Sequence, residues 1–239
     1  MNDKIIAMIP ARIGSTRLKF KNLSLINNKP MIYYAINSAK KSQIFDNIYL
    51  NSDHIIFKEI AKRYHVDFYL RSKSLGKNNV RSDDIVYNFL INNYCDVMCW
   101  INPIAPLLSS NDIKNTINYF LSNNLDSLIT TEEKNVHSIY NNKPINYVKK
   151  RKFDLTQNLK PIKLFNYSIM MWRTKTYIKN YKKNKYSFFC GNFDTYNLSK
   201  FSSLIVKNSE DLHLVNYVLK QRNRKIYPEI KYDKILKKL

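Results

Sequence analysis

Ile5-Ile6-Ala7-Met8-Ile9-Pro10-Ala11-Arg12-Ile13-Gly14-Ser15-Thr16-Arg17-Leu18-Lys19-Phe20-Lys21-Asn22 is the stretch that decides the fold. The apolar run Ile5 to Ile9 stops at Pro10, as a strand buried on both faces does when it enters a loop at its carboxyl end. That loop carries four cations, Arg12, Arg17, Lys19 and Lys21, within ten residues. Open α/β sheets bind ligands at this end of their strands. A nucleoside triphosphate brings about four negative charges, and converging guanidinium and ammonium groups with loop amides match it. Gly14 gains weight because the chain holds only three glycines, and one inside a basic post-strand loop points to a tight turn or a close backbone approach. Neither GxGxxG nor GxxxxGK followed by Ser or Thr occurs, so neither a Rossmann dehydrogenase nor a P-loop kinase is supported. An ordinary exposed basic loop is the plain alternative.

Outward from this loop, strand and helix patterns alternate. From Pro30, Ile32, Ala35, Ile36 and Ala39 recur at helical spacing, and Ile48 to Leu50 reads as a second strand. A helix from His54 to Tyr64, a strand Val66 to Leu70, a helix from Asp83 to Asn93 and a strand Val97 to Ile101 follow. Such steps argue for a parallel sheet covered on both faces. Ser110 is placed as the cap of a helix carrying Ile113, Ile117 and Phe120, and Ser127 to Thr131 as a further strand. Between Asn135 and Leu164 the alternation breaks into polar, basic segments with Pro144 and Pro161, which read as an extension. Ser168 to Trp172, Phe188 to Cys190 and Ser203 to Val206 read as strands, and Asp211 to Lys220 as a closing amphipathic helix.

The chain has 239 residues, 44% of them hydrophobic and 13% aromatic, enough for one α/β domain with an added lobe. Its apolar runs are strand-length, far short of the roughly 18 residues of a membrane span. Met1-Asn2-Asp3-Lys4 leads into the first strand without a signal-peptide pattern, so the expected compartment is the cytoplasm. Cys95, Cys99 and Cys190 show no CxxC spacing and read as core thiols. The net charge of +22 raises nucleic acid as a partner. The lysines are dispersed, however, clustering only at 149–152, 179–185, 220–225 and 231–238, so a solvated surface or attraction of anionic substrates is the better reading.

Pro10-Ala11-Arg12-x-Gly14-Ser15 with Lys21-Asn22-Leu23 resembles the signature loop of the acylneuraminate cytidylyltransferases, the CMP-sialic acid synthetases. Ser15-Thr16-Arg17-Leu18 is similar to the related CMP-Kdo synthetases. Asn51-Ser52-Asp53, Leu70-Arg71, Asn102-Pro103-Ile104-Ala105-Pro106-Leu107, Thr156-Gln157-Asn158-Leu159 and Asn166-Tyr167-Ser168-Ile169 resemble later segments of the family in the right order, over roughly residues 4 to 220.

The resemblance implies a three-layer, nucleotide-diphospho-sugar-transferase-like α/β fold with a mostly parallel sheet, formed by residues 1–239 as one domain. It implies that residues 135–190 are mainly a dimerisation lobe of a homodimer. Arg12 and Lys21 would grip the triphosphate of CTP, with Ala11, Gly14, Ser15, Arg17 and Asn22 completing the loop. Arg71 and Ser82 would border cytosine and ribose. Asn102, Gln157 and Asn166 would face an acidic sugar, and Phe188 and Phe189 would reach the partner subunit's sugar site. The implied reaction joins CTP and a sialic-acid-like nonulosonic acid into a CMP-sugar, with release of pyrophosphate, for cell-surface polysaccharide.

The family pattern also implies Mg²⁺ held by an Ile-Asp-Ile-Asp segment ahead of the last helix. Aligning Glu210-Asp211-Leu212 puts Ile205 and Lys207 where those carboxylates belong, and neither offers the hard oxygen that Mg²⁺ requires. Lys207 is then expected as a catalytic cation in the metal's place, with Asp53 as the remaining candidate metal ligand. The sugar-carboxylate Arg of the pattern is Thr156 here, its Gly is Tyr167 and its strand Tyr is Met170. Lys160 or Lys163 would have to receive the carboxylate, or the acceptor differs. The rival expectation is a catalytically impaired homologue that binds a nucleotide or a partner.

Overall fold

The computed structural model describes residues 3–15, 17–149, 152–224 and 232–233. Thr16 of the quoted loop and parts of the basic clusters at 149–152, 220–225 and 231–238 lie outside them. The chain opens with β1 (Ile5–Ala11), a hairpin of β2 (Leu25–Ile26) and β3 (Lys29–Pro30), then α1 (Met31–Ser42), β4 (Asn47–Ser52) and α2 (Ile56–Tyr64). β5 (Asp67–Leu70), α3 (Ser82–Asn92), β6 (Val97–Ile101), α4 (Ser110–Ser122) and β7 (Ser127–Lys134) follow. After a second hairpin, β8 (Ile139–Tyr140) and β9 (Lys143–Pro144), come β10 (Ile162–Arg173), α5 (Thr174–Asn184), β11 (Phe193–Asn197) and α6 (Ser209–Arg224).

Seven strands form one sheet in the order β11-β7-β10-β6-β1-β4-β5. β10 runs antiparallel to both its neighbours, and the other pairings are parallel. One face packs Ile5, Ala7, Ile9 and Cys99 against α1, α2 and α4; the other packs Ile6, Met8, Met98 and Trp172 against α3 and α5. Residues of successive parity in β1 thus enter opposite cores, which is why the run Ile5 to Ile9 is apolar throughout. α6 closes a third cluster, with Val215 and Leu219 against Ile26, Met31 and Val206.

With glycine scarce, asparagine takes the left-handed positions of both short hairpins. Asn27 and Asn28 (φ 46° and 62°) join β2 to β3, and Asn141 and Asn142 (φ 47° and 59°) join β8 to β9. Asparagine tolerates that region better than other residues with a Cβ, and two such positions in succession make the turn that suits a hairpin's twist.

Three local readings from the sequence are corrected. Ser109, not Ser110, caps α4: its Oγ accepts from Asp112 N at 3.1 Å while Asp112 Oδ2 accepts from Ser109 N at 2.9 Å. Phe188 to Cys190 is a turn, because Asp83 Oδ1 takes the N–H groups of Ser187 and Phe188, and Cys190 N closes back on Ser187 O. The edge strand there is β11. Ser203 to Val206 is no strand either: Ser203 N and Leu204 N make turn bonds to Ser199 O and Phe201 O, and only Val206 N reaches across, to Ile104 O at 2.7 Å.

The extension read at 135–164 departs from the layered body up to residue 161, where β10 enters the middle of the sheet; within 135–190, α5 packs on α3.

Candidate active site

The chain leaves β1 for β4 and β5 on one side and returns to β6 on the other. The carboxyl ends of β1 and β6 therefore diverge, and a crevice opens at such a switch point. A cavity of about 310 Å³ lies there. Ala11, Arg12, Ser15, Lys21 and Asn22 line it from the first loop, Arg71 from the end of β5, Ser82 from the first turn of α3 and Asn102 from the end of β6. Eight residues singled out in the sequence thus meet around one space.

Local bonding fixes them. Arg12 Nη1 donates to Asn78 Oδ1 at 2.7 Å, tying the basic loop after β1 to the loop after β5. Lys21 Nζ donates to Val206 O at 3.2 Å. Burial first, then the charges of Arg17 and Arg12, hold the Lys21 ammonium below the ordinary lysine value, and Asp211 opposes them. An anion entering the cavity relieves that repulsion, so the arrangement favours polyphosphate.

Arg71 is buried and braces the strand ends. Its Nη1 donates to Asn51 O at 2.7 Å and Asn51 Oδ1 at 2.9 Å, and its Nη2 to Ala11 O at 3.0 Å. Burial lowers its pKa to about 10, with Asp53, at 3.6 Å, acting the other way. Asp53 itself is not on the cavity wall but closed in beneath Gly76, where a Cβ would come within 2.1 Å of Asp53 Oδ2. The expected metal ligand is therefore the counter-ion of Arg71. Gly14, outside the cavity wall, is not left-handed, and a Cβ there would meet no protein atom within 4 Å.

Of the remaining expected residues, Arg17 and Lys207 are exposed and Gln157 sits exposed on the 3-10 turn Thr156–Asn158, outside the cavity wall. Asn166 is buried and committed. Its Oδ1 accepts from Thr130 Oγ1 at 2.7 Å and Ser168 N at 3.0 Å, and its Nδ2 donates to Ser203 Oγ at 3.0 Å. These bonds hold a bulge in β10, where the register with β7 shifts between Phe165 and Met170 and Tyr167 takes φ 56°. The bulge also presents Ser168 O to Asn102 N at 2.9 Å. Phe188 is half-buried, its carbonyl held by Trp172 Nε1 at 2.9 Å, while Phe189 is exposed beside Phe193 and Phe165.

Among the described residues no group of three or more His, Cys, Asp or Glu side chains is placed to hold a metal ion. With Ile205 and Lys207 at the aligned positions and Asp53 paired to Arg71, the residues present do not fit a Mg²⁺ cage.

Sequence reasoning missed Leu75, Lys77, Asn78, Val80 and Trp100 on the cavity wall. Gly76, one of three glycines, was the available signal for the loop that carries the first four.

A mostly parallel, doubly covered sheet with a cation-lined cavity at its switch point defines an α/β protein with a crevice suited to an anionic ligand. The family described as Cytidylyltransferase matches residues 6–226, and the chain belongs to that family. It is 27% identical over 97% of its length to the N-acylneuraminate cytidylyltransferase of Streptococcus agalactiae serotype V, of which the match covers 59%. The chain thus spans well under two thirds of that relative's length. It is 34% identical over 136 residues, 54% of this chain and 59% of the other, to the pseudaminic acid cytidylyltransferase of Campylobacter jejuni serotype O:23/36. The solved CMP:2-keto-3-deoxy-manno-octonic acid synthetase complexed with CTP superposes with a TM-score of 0.69 at 14% identity, covering 92% of this chain and 99% of that one, a likeness of fold.

Proposed function

We propose that the protein transfers the cytidylyl group of CTP to the anomeric hydroxyl of a nonulosonic, sialic-acid-like sugar acid. The hydroxyl oxygen attacks the α-phosphorus, the bond to pyrophosphate breaks, and the hydroxyl proton leaves to solvent. The observation that carries the reading is the cavity at the switch point, where Arg12, Ser15, Lys21 and Asn22 converge. Arg12 and Lys21 neutralise the triphosphate and the departing pyrophosphate; Ser82 and Arg71 bound the nucleoside end. Lys207 supplies a further cation beside them. Positioning and fixed charge account for most of the rate, since phosphoryl-type transfer asks little covalent chemistry of the protein. Family membership and the two sugar-acid cytidylyltransferase relatives support the acceptor class.

The working unit is a homodimer formed through the 135–161 excursion. Ile139, Tyr140, Ile145, Val148, Phe153 and Leu155 are all exposed there, six large apolar side chains that a partner subunit would cover. Sedimentation velocity reads this directly, and a monomer at micromolar concentration would contradict it. Among the described residues no helix is long and apolar enough to cross a membrane. The product, an activated sugar, is a donor for cell-surface polysaccharide assembled from the cytoplasm.

Pyrophosphate release from CTP with a panel of nonulosonic acids tests the transfer. Turnover that requires one of the sugar acids is the expected result. CTP binding without turnover on any of them would leave a nucleotide-binding homologue instead.

A further inference from the structure

Trp100, a residue of the cavity wall, carries an indole N–H for which the described residues offer no acceptor. Trp100, in β6, pairs with Met8 of β1 on one side and Met170 of β10 on the other, so thioethers flank it along the sheet. The residue lines the cavity together with Ile85 of α3 and is only 6% exposed. Its Nε1 is closed to solvent and has no partner among the described residues. The chain's other tryptophan, Trp172, donates to Phe188 O at 2.9 Å, as buried indoles ordinarily do. A buried donor left without either water or an acceptor is costly, and native proteins keep few of them. Arg71 Nε, on a second residue lining the same cavity, is also without a partner.

The lining is of two kinds: Arg12 and Lys21 bring positive charge, while Leu75, Val80, Ile85 and Trp100 bring apolar surface, Ile85 packing in one cluster with Trp100. A flat heteroaromatic ring with acceptor atoms on its edge suits the apolar surface. It would cover apolar wall and present an acceptor to the indole at once.

Resting on the reading that this cavity takes CTP, we infer that Trp100 reads the nucleoside end of the bound nucleotide, its indole N–H donating to an acceptor of the pyrimidine. Trp100 is then a specificity-determining residue, and its unmade bond in the free protein is completed by substrate.

The indole region of a proton–nitrogen correlation spectrum tests this on the full-length protein, because only two such resonances exist. CTP is expected to move one of them downfield and slow its exchange with water, while saturating pyrophosphate leaves both in place. The resonance that moves is the one missing from Trp100→Phe; if that variant does not fold, Trp172→Phe assigns the pair by elimination. Trp100→Phe is expected to bind CTP and CMP about three- to tenfold more weakly and pyrophosphate unchanged, the size of one neutral hydrogen bond. A merely structural disturbance of the cavity would weaken pyrophosphate as well. Wild-type protein that binds no CTP would overturn the nucleotide reading itself. Wild-type binding of CTP with both indole resonances unmoved and Trp100→Phe unimpaired would overturn the role of Trp100 alone. An indole proton already shifted downfield before CTP is added, and unmoved by it, would identify a buried water as the partner and overturn it too.

Discussion

Lys21 Nζ donates to the carbonyl oxygen of Val206 at 3.2 Å, joining the phosphate loop at one end of the chain to the segment that precedes α6 at the other. Val206 stands between Ile205 and Lys207, so the same contact fixes a loop lysine beside the Lys207 segment. Asp211, whose Oδ2 accepts from Lys207 N at 2.7 Å and Asn208 N at 3.1 Å, anchors that segment to the start of α6.

CTP affinity should depend on alkaline pH through Lys21. Its folded-state pKa is held below 10.5 by burial first and by Arg17 and Arg12 next. Between the lowered value and 10.5 the unfolded chain holds a proton that the free folded protein lacks, so the free protein gains stability as pH rises through that window. Bound triphosphate favours the charged ammonium. Binding therefore takes up a proton and weakens over the same window as pH climbs. Calorimetry in buffers of different ionisation enthalpy reads the uptake, and Lys21→Arg should abolish it because a guanidinium stays charged. Wild-type affinity that is flat up to pH 10.5 would contradict this.

Lys207→Ala should lower kcat for pyrophosphate release by about tenfold or more, with a smaller effect on CTP affinity, as for a group that acts on charge developing in the transition state. Removing divalent metal with a chelator should cost less than this substitution. Equal rates for Lys207→Ala and wild type would show that the ammonium is a bystander.

Gly76→Ala should destabilise the protein by about 1–3 kcal/mol, the usual cost of overpacking. Its new Cβ would sit 2.1 Å from Asp53 Oδ2 and 2.6 Å from Asp53 Cγ, forcing the carboxylate off Arg71. Urea unfolding measures the loss. A neutral result would mean that the loop after β5 yields more easily than its contacts indicate.

Tyr167→Gly should stabilise the fold by about 0.5–1 kcal/mol, because tyrosine holds a left-handed backbone in the β10 bulge at a cost that glycine lacks. The residue is exposed and its ring contact with Phe165, at a centroid distance of 6.0 Å, is loose, so little packing is forfeited. A drop in the urea midpoint would assign Tyr167 a packing role that outweighs the strain.

The parallel core was legible because its strands are apolar on both faces and its helices carry a stripe, as Ile5 to Ile9 and Ile32 to Ala39 show. The antiparallel entry of β10 was not, since a buried strand has the same pattern in either direction. α5 and β11 were hidden for another reason. Lys-rich α5 has a narrow apolar face built on Tyr177, and half-buried β11 alternates weakly at a sheet edge. The cationic lining of the cavity was legible because Arg12, Ser15, Lys21 and Asn22 belong to one continuous loop. Trp100 did not, because a tryptophan inside an apolar strand reads as core until its N–H is seen to lack a partner.

Titration calorimetry with CTP on wild-type protein and on Arg12→Ala combined with Lys21→Ala is the most direct measurement of the whole account. Saturable, salt-sensitive binding by the wild type, weakened by about 100-fold or more in the double variant, is the result it predicts, two charge-assisted contacts being lost. Heat and thermal stability unchanged by CTP in the wild type, or equal affinity in the double variant, would contradict it.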